Sequence, residues 1–163
     1  MPKQQEIIDA IIERLKGING TGDYELDFEE SVEDSRTRWD QDELPAISVF
    51  EMPAEVEEVP NSRRQTVHVL PVQIRAFLEA GSTAAMTAET SRLARADILR
   101  AILGTGTRTD NWLAERFPNN AGVGLAMETR LRRQGPEYSS DSYEITGAVV
   151  EIDVVFITDK WSM

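Results

Sequence analysis

The stretch from Thr66 to Leu103 constrains the fold most, because its periodicity changes once, at a sharp corner. TVHVLPVQIRAFLEA alternates: Leu70, Val72, Ile74, Ala76 and Leu78 share one face, while Gln73 and Arg75 share the other. A period of two predicts a half-buried strand over 66–79. Gly81 and Ser82 interrupt it, and Ser82 or Thr83 can cap the helix that follows. In AAMTAETSRLARADILRAIL, the residues Ala94, Ile98, Ala101 and Ile102 recur at helical spacing, and Gly104 suits a left-handed C-terminal position. A long strand turning tightly into such a helix starts a two-layer core, which the remaining elements complete.

On the N-terminal side, residues 3–18 predict a helix, with Ile7, Ile8, Ile11, Ile12, Leu15 and Ile18 in one apolar stripe. Tyr24, Leu26 and Phe28 alternate with Glu25 and Asp27, the pattern of a short strand. Residues 29–43 carry few apolar side chains apart from Val32 and Trp39 and predict an irregular segment. Residues 46–52, AISVFEM, predict a buried strand with Ile47 and Val49 facing away from Phe50 and Met52. Residues 53–65 predict a long loop, so that 46–52 and 66–79 form a hairpin with an extended tip. After the second helix, 104–122 is turn-rich, with a single helical turn expected at 111–116. Residues 124–133 predict a strand with Leu125, Met127, Thr129 and Leu131 on one face, and 134–142 predict a turn. The last strand is expected over 143–158. Ala148, Val150, Ile152, Val154 and Phe156 lie on its core face, and Glu151 and Asp153 on the other. This order predicts one α+β domain over residues 1–163. Its sheet is mixed and mostly antiparallel, of about four to five strands, with two main helices packed on one face.

Charge and composition narrow the function. The 163 residues include 17 Lys and Arg against 29 Asp and Glu, a net charge of −12, and no cysteine. Such a surface repels phosphate, which disfavours stable binding to duplex DNA or to an anionic membrane. Without cysteine there are no disulfides, thiolate metal sites or cysteine nucleophiles. No apolar run approaches the ~20 residues that span a bilayer. The first segment, MPKQQEIIDAIIERLKG, carries Glu6 and Asp9, unlike a signal peptide, so synthesis in the cytoplasm is the expectation.

The search for chemistry finds no constellation. His68 is the sole histidine and shares the parity of Leu70 and Val72, which predicts a structural role. No G-x-S-x-G elbow is present. One histidine without cysteine excludes the common zinc sets. The acids at Asp27, Glu29, Glu30, Glu33 and Asp34, and at Asp40, Asp42 and Glu43, lack the glycine and spacing of a calcium loop, and read as a solvated face. No pair of acids stands out as a glycosidase couple. GTGTRTD at 104–110 follows a helix and lacks G-K-[ST], unlike a phosphate-cradling loop. The expectation is no catalytic residue, no metal and no cofactor. Small basic patches, SRR at 62–64 and RLRR at 130–133, sit on an acidic background and suit ion pairing with a neighbouring subunit.

The layout resembles that of the tail terminator, or tail completion, proteins of long-tailed bacteriophages. The resemblance spans nearly the whole chain. It rests on the order EIIDAIIERLKGI, LPAISVFEM, VLPVQIRAFLEA, TAETSRLARADILRAIL and EITGAVVEIDVVFIT, and on the fragments P-x-I-x-V and R-x-D-I-x-x-A-I. It implies a structural virion protein at the tail–neck junction, a ring, commonly hexameric, that caps the tail tube. Such a ring stops tube polymerisation and offers a surface to the head connector, while DNA passes through without sequence-specific binding. A head-completion or neck adaptor protein is the alternative, and a small enzyme with an unrecognised carboxylate site a more distant one. For a ring, Arg63, Arg64, Arg130, Arg132 and Arg133 are expected to face a neighbour's acids, either Glu55, Glu57 and Glu58 or the 27–34 cluster. Trp39, Val56 and Val59 are expected to supply apolar anchoring.

Overall fold

The computed structural model describes residues 3–53, 55–58, 65–104, 128–139 and 144–159. Helix α1 runs Lys3–Leu15, followed by strands β1 (Val32–Asp34), β2 (Ala46–Glu51), β3 (Glu55–Glu58) and β4 (Gln65–Phe77). Helix α2 (Ala84–Leu103) precedes β5 (Glu128–Tyr138) and β6 (Ile145–Asp159). Among the described residues the strands form one mixed sheet in the order β1-β2-β4-β6-β5, with β3 beside β4; β1 pairs with β2 in parallel and the other pairs are antiparallel. Fold class and helix placement agree with the expectation from sequence.

β4 and β6 form the axis of the sheet. They pair from Gln65–Asp159 to Phe77–Gly147 without a slip, so alternation in one strand matches alternation in the other. Leu70, Val72, Ile74 and Ala76 meet Ala148, Val150, Ile152, Val154 and Phe156 on one side. The stripe of α1 (Ile7, Ile8, Ile11 and Leu15) and that of α2 (Ala94, Ile98, Ala101 and Ile102) close over them. Burying each aliphatic side chain contributes roughly 1.5–3 kcal/mol. Thr83 caps α2 by accepting from the Met86 N–H, and Gly104 ends it at φ 82°, a conformation glycine adopts without strain. Gly147 is needed where α2 meets β6: the Ser91 hydroxyl donates to its carbonyl at 2.8 Å, and a Cβ there would lie 1.9 Å from the Ala76 carbonyl oxygen.

Three segments depart from expectation. Residues 24–28 do not form a strand; only a single bridge joins Asn19 to Asp27. Their alternation is real, since Phe28 is buried and Tyr24 and Leu26 pack against the core. The hydrogen-bond partner, however, is a side chain. The fully buried carboxylate of Asp97 on α2 accepts from the Glu25 N–H at 3.1 Å and the Leu26 N–H at 2.8 Å. The Arg100 guanidinium lies 3.6 Å from that carboxylate and also donates to the Asp23 carbonyl. The nearby strand is β1, where Val32 alone is apolar and buried, too short for periodicity to reveal.

The expected loop 53–65 instead contains β3, which extends the line of β2 along β4, with Glu55 opposite Val69 and Glu58 opposite Thr66. One valine among three glutamates in EVEE gave no apolar face by which to recognise it. β5 starts at Glu128 and runs on through the expected turn to Tyr138. It carries Gly135 and Pro136, which an outermost strand tolerates. A register shift between Leu131 and Arg133 makes Arg132 an extra residue, and Leu131 is 43% exposed at this margin. The expected helical turn at 111–116 and the start of the strand at 124–127 lie outside the described residues.

Asp97→Ala leaves two backbone N–H groups without their acceptor and is expected to lower the unfolding free energy by about 2–4 kcal/mol. Asp97→Asn, which keeps one acceptor oxygen, should fall between that and the parent. Denaturant unfolding followed by circular dichroism checks both. An unchanged midpoint for Asp97→Ala would show that the carboxylate does not hold this segment.

Candidate functional site

The side of the sheet away from the helices is where the chain places its organised polar chemistry. Odd-numbered residues of β4 and β6 face this way. Matched register puts Gln73 beside Glu151, Arg75 beside Val149 and Pro71 beside Asp153. Ser48 of β2 lies opposite Arg75, and Arg133 of β5 opposite Glu151. Of these pairs, Arg133 with Glu151 joins opposite charges.

Two chains of contacts result. The Gln73 amide donates to Glu151 at 2.9 Å, and Arg133 grips the same carboxylate through Nη2 at 2.8 Å and through Nε. Glu151 is 8% exposed. Arg133, followed by Gln73, holds its carboxyl below the ordinary range against the opposing effect of burial. The second chain joins Arg75 to Glu137 at 2.6 Å, with the Arg75 guanidinium 5.7 Å from the Phe77 ring centre and 5.9 Å from that of Phe50. Between the two lies a depression of about 370 Å³ bounded by Gln73, Arg75, Arg133, Glu137 and Val149. Nearby, Asp153 Oδ1 is buried without a hydrogen-bond partner among the described residues, 3.9 Å from Arg132.

The segment before β2 borders this face. The Trp39 indole N–H donates to Ser48 Oγ at 2.8 Å, the Ser48 hydroxyl donates to the Arg36 carbonyl, and the Arg36 guanidinium lies 4.0 Å over the indole ring. Arg36 also meets Glu43 at 2.6 Å and Glu33 at 3.1 Å. Its hydrogen bonds and the Asp40 N–H hold the Glu43 carboxyl below its ordinary value, the backbone bond having the larger effect.

Residues singled out from sequence thus fall in different places. Trp39 is half-buried and its N–H is used within the subunit. Val56 lies on β3 opposite His68 in the register. Arg130 and Arg133 oppose Asp153 and Glu151 on β6, with Arg132 at the bulge. Val59, Arg63 and Arg64 lie outside the described residues. Sequence reading missed Gln73, Arg75 and Glu151 as a connected group, because it assigned them simply to a solvent face. The available signal was that two central strands carry polar side chains of complementary kind at matching parity.

His68 is in the core, 2% exposed and stacked on Phe156 at 4.8 Å between ring centres. Burial first, and the Lys3 charge second, push its pKa down from 6.5. Among the described residues no group of three or more His, Asp or Glu side chains is placed to hold a metal ion. No protein-family model matches the chain, and no curated protein matches it.

Two pH effects follow. The unfolded chain takes up a proton at His68 that the folded chain resists, so this contribution to stability is full above 6.5 and declines as pH falls below it. His68→Gln should reduce the loss of melting temperature between neutral and mildly acid pH; an unaltered profile would contradict this. Glu151 has a folded pKa below its unfolded 4.5, so its contribution is present above that pH and is lost on further acidification. Glu151→Gln should flatten the acid limb of the stability profile below about pH 4.5, as measured by thermal melts across a buffer series.

Proposed function

We propose that this chain is a structural virion protein whose copies form a ring on the finished tail tube of a long-tailed phage. The ring halts tube polymerisation and presents a surface to the head connector. The ordered segments quoted above carry this reading. Their two fragments include Ile47, Val49, Asp97, Ile98, Ala101 and Ile102, all buried at the junction of sheet and helices. What resembles the terminator layout is therefore the part of the chain that builds the domain.

Other observations support a contact protein. The face away from the helices is lined with charges compensated by neighbours, a surface suited to docking against another protein. A carboxylate such as Glu151, held ionised by Arg133, is poorly suited to proton transfer near neutral pH. No residue is therefore assigned a catalytic role. The net charge of −12 suits a channel through which DNA slides without adhering. Among the described residues no helix is long and apolar enough to cross a membrane.

Removal of the gene from the genome that encodes it, followed by electron microscopy, tests the reading. The expected products are tails of irregular and excessive length, without heads. Tails of normal length beside unjoined heads would instead identify a neck adaptor. Intact particles would overturn a structural role at this junction.

A further inference from the structure

The two margins of the sheet carry opposite charge. β5 is the last strand on one side and places Arg130, Arg132 and Arg133 within one short stretch. On the other side, β1 flanks β2, and β3 continues along β4 beyond β2, so both lie away from β6. Their sequences are VED and EVEE. In a chain of net charge −12, copies repel unless the basic groups are gathered where acids can reach them.

Arg132 and Arg133 keep exposed side chains despite their contacts within the chain. The side chains of Arg132 and Arg133 are 53% and 68% exposed while meeting Asp153 and Glu151. A guanidinium has five donors, so one carboxylate does not exhaust it. Apolar groups accompany each margin: Leu131 and Tyr138 on β5 are 43% and 53% exposed, and Met52, just before β3, is 38% exposed. The bulge at Arg132 and Pro136 in β5 work against backbone pairing with an added strand. The contact these features suit is one of side chains, with charge setting the register and apolar groups adding area.

We propose that the basic margin on β5 of one copy docks against the acidic margin on β1 and β3 of a second copy. Like margins repel, so a two-fold contact through either one is disfavoured. Joining unlike margins uses one of each per contact and leaves the other free, which propagates head to tail and closes as a ring at the right rotation. This contact deepens the proposed ring and rests on that reading for closure.

Sedimentation velocity at low salt provides the test, with Arg133 untouched because it holds Glu151. One variant carries Arg130→Glu and Arg132→Glu, so both margins are acidic; the other carries Glu55→Lys and Glu57→Lys, which removes most of the negative charge of the β1 and β3 margin. The parent chain is expected to associate. Each variant alone should associate at least about tenfold more weakly, and an equimolar mixture should recover association with both variants in the same species. A parent that stays monomeric, variants that associate like the parent, or a mixture that does not recover would each overturn the proposal. Far-UV circular dichroism checks folding. If a reversal unfolds the chain, Arg130→Gln with Arg132→Gln and Glu55→Gln with Glu57→Gln replace them; each must weaken association, and unchanged association overturns the contact. Tail length in particles made with each variant is read separately. Recovery in the mixture together with normal tails for the single variants leaves the docking intact and overturns the terminator reading.

Discussion

The unbroken pairing of β4 with β6 is the constraint on which the rest depends. Because the register runs from Gln65–Asp159 to Phe77–Gly147 without a slip, the core residues from Leu70 to Ala76 and from Ala148 to Val154 share one side, and Gln73, Arg75, Glu151 and Asp153 share the other. A displacement of one residue would bring Gln73, Arg75, Glu151 and Asp153 under the helices and expose Ile74 and Val150. The register therefore fixes two things together: where the core forms, and where charges meet across the sheet. Gly147 tightens the arrangement at one end, since any side chain there would collide with the Ala76 carbonyl.

Helix α2 transmits this order to the rest of the domain. Its apolar stripe covers the sheet, Ser91 ties it to β6, and Asp97 turns the same helix into a hydrogen-bond acceptor for residues 25 and 26. A buried carboxylate is costly unless its oxygens are satisfied, and here backbone N–H groups satisfy them. Arg14 of α1 donates to the Ala101 carbonyl at 2.9 Å, which fixes the two helices to each other near the C-terminal end of α2.

The central elements were legible in sequence because one physical signal, apolar periodicity, was sufficient for them. Leu70 to Leu78 and Ala148 to Phe156 alternate cleanly, and Ile7 to Leu15 repeat at helical spacing. The margins were not legible because another term decides there. Tyr24 to Phe28 alternate like a strand, yet Asp97, some seventy positions away, supplies the hydrogen bonds. EVEE has no apolar face, and β4 recruits it through its backbone. β5 passes through Gly135 and Pro136 because only one of its sides needs to pair with β6, and it carries a bulge at Arg132 that no periodicity announces. At the candidate site, the contacts of the Trp39 indole with Ser48 and Arg36 were likewise not legible, because no local pattern links these three residues.

Among the described residues both helices lie on one side of the sheet, and under the proposed function the margins of the sheet serve neighbouring copies and the acidic balance of the chain suits a passage for DNA. The most direct measurement is the position of the protein in a particle. Immunogold labelling of intact virions with antibody raised against this chain should give one cluster of label at the junction of head and tail. Label along the whole tail, label on the shell, or particles free of the protein would contradict the proposed role.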